Sequence, residues 1–153
     1  MPDRRIKDKM AMIDIGKKEV TLREAIVEAR VYLKAGVIKL IKKKEIPKGD
    51  VLEAAKLAGI IAAKKTAELI PFCHPIPIEY VDVKVSLKNK EVEIRTTVRS
   101  RAKTGVEMEA FTACAIAAVT VYDMCKAFDR DAVIKSIMLL KKSGGKSGNF
   151  VRR

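Results

Sequence analysis

"YVDVKVSLKNKEVEIRTTV", residues 80–98, decides the fold class. Val81, Val83, Val85 and Leu87 alternate with polar neighbours over 80–87, and "EVEIRTTV" (91–98) alternates in the same way. A period of two marks a half-buried strand, one face against a core and the other in water. "KNK" between the runs is a short polar turn, so the two strands form an antiparallel hairpin.

Working outward, the hairpin is flanked by helical patterns. "DVLEAAKLAGIIAAKKTAEL" (50–69) reads as a helix with Asp50 as N-cap, Glu53 as its capping-box partner and an apolar stripe of Val51, Ala54, Ala55, Ala58, Ile61, Ala62 and Leu69. "TGVEMEAFTACAIAAVTVYDMCKAF" (104–128) reads as a second long helix, with Thr104 and Glu107 forming a capping box and small apolar residues on most faces. "DAVIKSIMLL" (131–140) is apolar enough for a strand. Upstream, "TLREAIVEARVYLKAG" (21–36) reads as a helix with Thr21 as N-cap, Glu24 three residues on and Gly36 as its stop. "VIKLIKKKEIPKG" (37–49) fits a short helix and then a loop at Pro47 and Gly49, and "MIDI" (12–15) fits a short strand. This order approaches β-α-β-β-α-β, an α+β fold of the ferredoxin-like type with an antiparallel sheet and helices on one face. The expected organisation is a flexible basic arm over 1–10, a single domain over 11–142 and a flexible Gly/Ser/basic tail over 143–153.

At 153 residues the chain suits one domain with one core, and with aromatics at 5% that core must be built from Ile, Val, Leu and Ala. No apolar run approaches the ~20 residues of a membrane span, and "MPDRRIKDKM" lacks the apolar centre of a signal peptide. A cytoplasmic protein is expected. Cys73, Cys114 and Cys125 are odd in number, widely spaced and without a CxxC pair, which favours reduced thiols. With His74 as the one histidine they make a poor zinc set, so no protein metal site is expected. The net charge of +13 has three readings: a nucleic-acid surface, a basic pocket for a polyphosphate, or the Lys- and Glu-rich surface common in hyperthermophile proteins. The runs at 42–44 and 64–65 have no aromatic neighbours for base stacking, and composition alone does not choose.

Several residues could carry chemistry. Asp123 and Lys126 share one helix face at i and i+3 in an otherwise apolar stretch, which favours a cleft. There a carboxylate holds the lysine charged while desolvation pushes it neutral, a balance that suits a proton carrier. Lys48, between Pro47 and Gly49, can reach a site as a mobile arm, although a solvated loop lysine is the commoner case. Glu107 and Glu109 are explained by the helix dipole without any function, and their spacing of two puts them on different faces. "LIPFCHPIPI" (69–78) holds His74 in a loop stiffened by Pro71, Pro75 and Pro77, which slightly favours a binding or acid–base role. A direct Cys73–His74 dyad is disfavoured because neighbours in an extended segment point to opposite sides. "GGKS" (144–147) resembles the end of a P-loop, but Leu140 stands where the first glycine is required and no helix can follow before Arg153. Its amides, with Lys142 and Lys146, could still bind a phosphate, although a disordered basic tail is the better local reading.

Taken together, "KGDVLEAAKLAGIIAAKKTAELIPFCHPIPI", "KTGVEMEAFTACAIAAVTVYDMCKAFDRD", "LLKKSGGKSG" and "MIDIGKKEVTLREA" resemble the MoaC family of molybdenum-cofactor biosynthesis, from about residue 11 to the tail. The resemblance implies a lyase that converts a cyclised dihydro-GTP to cyclic pyranopterin monophosphate and releases pyrophosphate. It implies a ferredoxin-like subunit, a homohexamer built as a trimer of dimers, and active sites between subunits. It implies no redox cofactor and leaves open whether Mg²⁺ accompanies the triphosphate. Carried over residue by residue, it marks Lys48, Asp123 and Lys126 as catalytic and His74, Glu107 and Glu109 as further site residues, with Lys142 and Arg23 as basic positions for phosphates. Cys73 matches the family's "CHP" without an assigned chemical role. Phe72 departs from the usual leucine, and the histidines that some relatives carry just before Lys48 are absent. Two rivals stand beside this reading. A nucleic-acid-binding module is disfavoured because the hairpin lacks the aromatic pattern of RNA-recognition strands. A non-catalytic nucleotide-binding hexamer would bind GTP without forming product.

Overall fold

The computed structural model describes residues 10–153, so all of the expected basic arm except Met10 lies outside the described residues. The strands are β1 (Thr21–Tyr32), β2 (Tyr80–Leu87), β3 (Glu91–Ala102), β4 (Val133–Ser143) and β5 (Phe150–Val151). The helices are α1 (Ala35–Lys42), α2 (Val51–Lys64), α3 (Thr66–Leu69) and α4 (Glu107–Cys125). The fold is α+β, an open antiparallel sheet in the order β2-β3-β1-β4-β5.

The hairpin forms as its alternation requires, with Val83 opposite Thr96 and Val85 opposite Ile94. β1 is a correction. Residues 21–32 are not a helix but the central strand, paired with β3 on one side and β4 on the other. Ala25, Val27, Ala29 and Val31 are fully buried at every second position, and the even positions put Glu24, Glu28 and Arg30 on the opposite face. Glu28 is itself buried there, between Arg95 at 2.6 Å and Arg30 at 3.3 Å. The apparent capping box at Thr21 and Glu24 is a coincidence of spacing, overridden by ladders on both edges. The 12–15 segment is not a strand either and runs as irregular chain beside the α4 N-terminus.

Asp50 caps α2 as expected, accepting from the amides of Leu52 and Glu53. Its stripe differs in part: Val51, Ala55 and Ala62 are buried, whereas Ile61 and Leu69 are exposed and Gly59, Ala63 and Thr66 take the inner positions. α4 begins at Val106 without a side-chain cap, and Thr104 does not close a capping box. By length and apolar content α4 could cross a membrane, which qualifies the expectation that no run approaches a span. Its fully buried residues, from Ala110 to Cys125, pack on α2 and on β1, β3 and β4, the setting of a core helix. The segment 143–153, expected to be flexible, turns through Gly144 and Gly145 and returns as β5 against Lys141 and Lys142.

The α2–α4 crossing depends on Gly59. A Cβ there would stand 3.0 Å from the Ala113 carbonyl and 3.1 Å from Val83. Gly59→Val is therefore expected to destabilise the fold by about 1–3 kcal/mol, the usual result of overpacking. Urea denaturation should show a lower midpoint at unchanged slope.

Candidate functional site

The fold gathers the sequence-selected residues into two clusters. The first lies at the C-terminal end of α4. Asp123 holds both lysines: its Oδ1 accepts from Lys126 Nζ at 2.8 Å and its Oδ2 from Lys48 Nζ at 2.9 Å. The Asp123 carbonyl also accepts from Lys48 at 3.2 Å. Lys48 reaches it from the loop before α2, where Gly49 at φ 113 permits the bend into the Asp50 cap. All three side chains are half-exposed, so the expected desolvation of Lys126 is not met in this chain. The hydrogen bond to Asp123 instead raises Lys126 above the ordinary lysine range, and the hydrogen bonds from Lys126 and Lys48 lower Asp123. Both lysines are thus held beside a permanent carboxylate, and Lys126 is an ammonium donor through neutral pH.

The second cluster lies at the N-terminal end of α4. A cleft of about 390 Å³ is lined by Cys73 and His74 from the proline loop, Glu107 and Met108 from α4, and Ile13 and Lys18 from the N-terminal segment. The loop is tied down by the Cys73 amide donating to Ile70 and by Ser100 donating to the Pro77 carbonyl. Glu107 receives Lys142 at 3.5 Å from the end of β4, and Lys142 also donates to Ser147 at 2.6 Å. Arg23, mostly buried, lies beneath the glycine turn that follows Lys142 and donates to the Ala102 carbonyl at 3.4 Å. Gly145 sits at φ 83, a conformation that favours glycine, and a Cβ there would also meet the Arg23 guanidinium. Glu109 points inward at 2% exposure, with Oε1 3.7 Å from the Cys73 sulfur and Oε2 without a hydrogen-bond partner. Burial pushes its carboxyl up, and the Glu107 carboxylate adds in the same sense. No group of three or more metal-ligating side chains occurs among the described residues.

Residue spacing predicted the Asp123–Lys126 pair, but not the arrival of Lys48 or the contact of Cys73 with Glu109. Ile13, Lys18 and Met108 were missed as cleft residues, and only the apolar "MIDI" carried any signal for them.

All three thiols are raised by burial: Cys73 and Cys125 to about 11, Cys114 to about 12. A thiol near 11 is thiolate in roughly one molecule per thousand at pH 8, and the thiolate is the reactive form. Iodoacetamide at pH 8 should therefore label the folded chain slowly at all three cysteines and the urea-unfolded chain rapidly, as read by intact mass.

At ~1.5 Å per residue the helix between Glu107 and Asp123 is ~24 Å long. One chain thus carries an aspartate–lysine cluster and a mixed carboxylate–imidazole–cation cleft, each at its own end of one helix. This defines a small α+β protein with ionisable side chains gathered at both ends of its long helix. A model of the MoaC family matches residues 12–145, and the chain belongs to that family. It is 52% identical over 143 residues to the cyclic pyranopterin monophosphate synthase of Aquifex aeolicus (strain VF5), a match covering 94% of this chain and 56% of that relative. This chain therefore spans little more than half of that relative's length. It is 50% identical over 143 residues to the protein of that name from Thermoanaerobacter sp. (strain X514), covering 92% of this chain and 90% of the relative. For Roseiflexus sp. (strain RS-1) the identity is 48% over 142 residues, with the same two coverages.

Proposed function

We propose that this chain is a cytoplasmic lyase of molybdenum-cofactor biosynthesis. It converts the cyclised nucleotide (8S)-3',8-cyclo-7,8-dihydroguanosine 5'-triphosphate to cyclic pyranopterin monophosphate with release of pyrophosphate. The observation that carries this reading is identity near 50% to relatives so named, over about nine tenths of both chains. The site chemistry agrees. Rearranging the purine-derived ring requires proton transfers, which Lys48 and Lys126 beside Asp123 supply by general acid–base catalysis. Closing the cyclic phosphate requires a sugar-derived hydroxyl to attack the α-phosphorus while the bond to the β-phosphate breaks. Cationic groups stabilise the departing pyrophosphate. Lys142 and Arg23 are read as phosphate ligands, and His74, Cys73, Glu107 and Glu109 as the remaining substrate-binding residues. The net charge of +13 steers a polyanionic substrate. The reading calls for no redox cofactor, no nucleic acid and no membrane, and Mg²⁺ enters only if it accompanies the triphosphate.

The subunit is read as ferredoxin-like and the assembly as a homohexamer, a trimer of dimers with sites between subunits. The strand order supports the first. The ~24 Å between the clusters supports the second, because acid–base groups act only within hydrogen-bond reach of the reacting atoms. Met108, Ile116 and Val119 are exposed apolar residues on α4, one near its N-terminal end and two toward its C-terminal half. A second α4 laid antiparallel on these residues would bring the Asp123 end of one copy to the Glu107 end of the other. Incubation with the cyclised nucleotide, scored for pyrophosphate and pyranopterin, tests the activity. Stoichiometric release of both is expected, and nucleotide binding without either product would refute it.

A further inference from the structure

The Cys73 sulfur lies 3.7 Å from Glu109 Oε1 and 3.8 Å from the carbonyl oxygen of His74. The single thiol hydrogen thus lies between the first turn of α4 and the main chain of the loop that carries the imidazole, able to be donated to either oxygen. The partner carboxyl is 2% exposed and leaves Oε2 unpaired, an expensive arrangement for a side chain with only a packing role. Behind the loop, Glu109, Thr66, Pro75 and Ile76, with Lys64 and Glu68 at its mouth, line a pocket of about 160 Å³. Packing therefore leaves room for the loop to settle inward beneath Pro75 and Ile76. Among the described residues the backbone ties act at its ends, through Ile70 on one side and Pro77 and Glu79 on the other. Between them the thiol is the tie to α4.

We propose that Cys73 and Glu109 serve the substrate site without touching the substrate, as positioning residues, a thiol–carboxyl bracket that holds His74 at its place in the cleft and keeps the loop off the pocket behind it. The proposal rests on reading that cleft as the substrate site. The Cys73 thiol, raised to about 11 with burial as the largest cause and the Glu109 charge adding to it, stays protonated and so remains a hydrogen-bond donor. It is not a nucleophile in this arrangement. Serine can donate to the same oxygens, and glutamine keeps an acceptor oxygen where Glu109 has one.

His74 is the only histidine in the chain, so a ¹³Cε1-histidine spectrum of the full-length protein reports it without assignment. Cys73→Ala and Glu109→Ala should each shift or split that signal in the absence of substrate. They should also lower kcat about 10- to 100-fold, the scale of small misplacements in an active site, with KM little changed. Cys73→Ser and Glu109→Gln should keep the wild-type signal and restore part of the turnover that the alanine variants lose. A wild-type His74 signal in both alanine variants would overturn the proposal, as would a purely KM effect or a loss in Cys73→Ser equal to that in Cys73→Ala. Failure of the wild type to turn over the cyclised nucleotide would remove the proposed activity, while the spectra would still decide the bracket.

Discussion

Lys126→Ala is expected to lower turnover of the cyclised nucleotide by about 10²- to 10⁴-fold, the usual contribution of one general acid or base. The fold should survive, because Lys126 is half-exposed and a surface ion pair contributes about 0–1 kcal/mol. An unchanged melting curve beside the lost rate is the pattern to look for, and full turnover by the variant would refute the role. Asp123→Asn adds a test with a sign. The carboxylate raises Lys126 through its hydrogen bond and charge, so the ammonium form persists to higher pH than in a free lysine. Removing the charge lowers that value, and the alkaline limb of the kcat profile should move toward lower pH. A limb that stays in place would assign the proton to another group. Asp123 is itself lowered by its two lysines, so its stabilising pairing is present above the ordinary aspartate range and lost only as pH falls through the depressed value. Hence no stability change from this cluster is expected across neutral pH.

Much of the fold was legible where periodicity was strong. The hairpin, the Asp50 cap, the long α4 and the strand after it follow from alternation, capping chemistry and apolar content. The central strand was not legible, and for a physical reason. Ala25, Ala29 and Leu33 recur at helical spacing, while Ala25, Val27, Ala29 and Val31 also recur at strand spacing. Only pairing with both β3 and β4, contacts distant in sequence, resolves the ambiguity. The site divides the same way. Asp123 and Lys126 are local neighbours on a helix and could be paired from spacing alone. Lys48 comes to Asp123 across 75 residues and Cys73 to Glu109 across 36, and no local rule reaches so far. Neighbour geometry led to the expectation that Cys73 and His74 face apart. What it could not supply was the buried carboxylate that Cys73 meets on α4.

The second large effect comes from the separation of the two clusters. His74→Ala damages the cleft at one end of α4 and Lys126→Ala the cluster at the other, so each variant alone should be nearly inactive. If every working site takes one cluster from each of two copies, a mixed dimer holds one site with both lesions and one with neither. Random pairing makes half the dimers mixed, so co-assembly should restore about a quarter of wild-type activity. The decisive measurement is pyrophosphate release from co-expressed, differently tagged His74→Ala and Lys126→Ala chains purified through both tags. Recovery to far above the sum of the single variants is predicted. Activity no greater than that sum would contradict a site completed between copies.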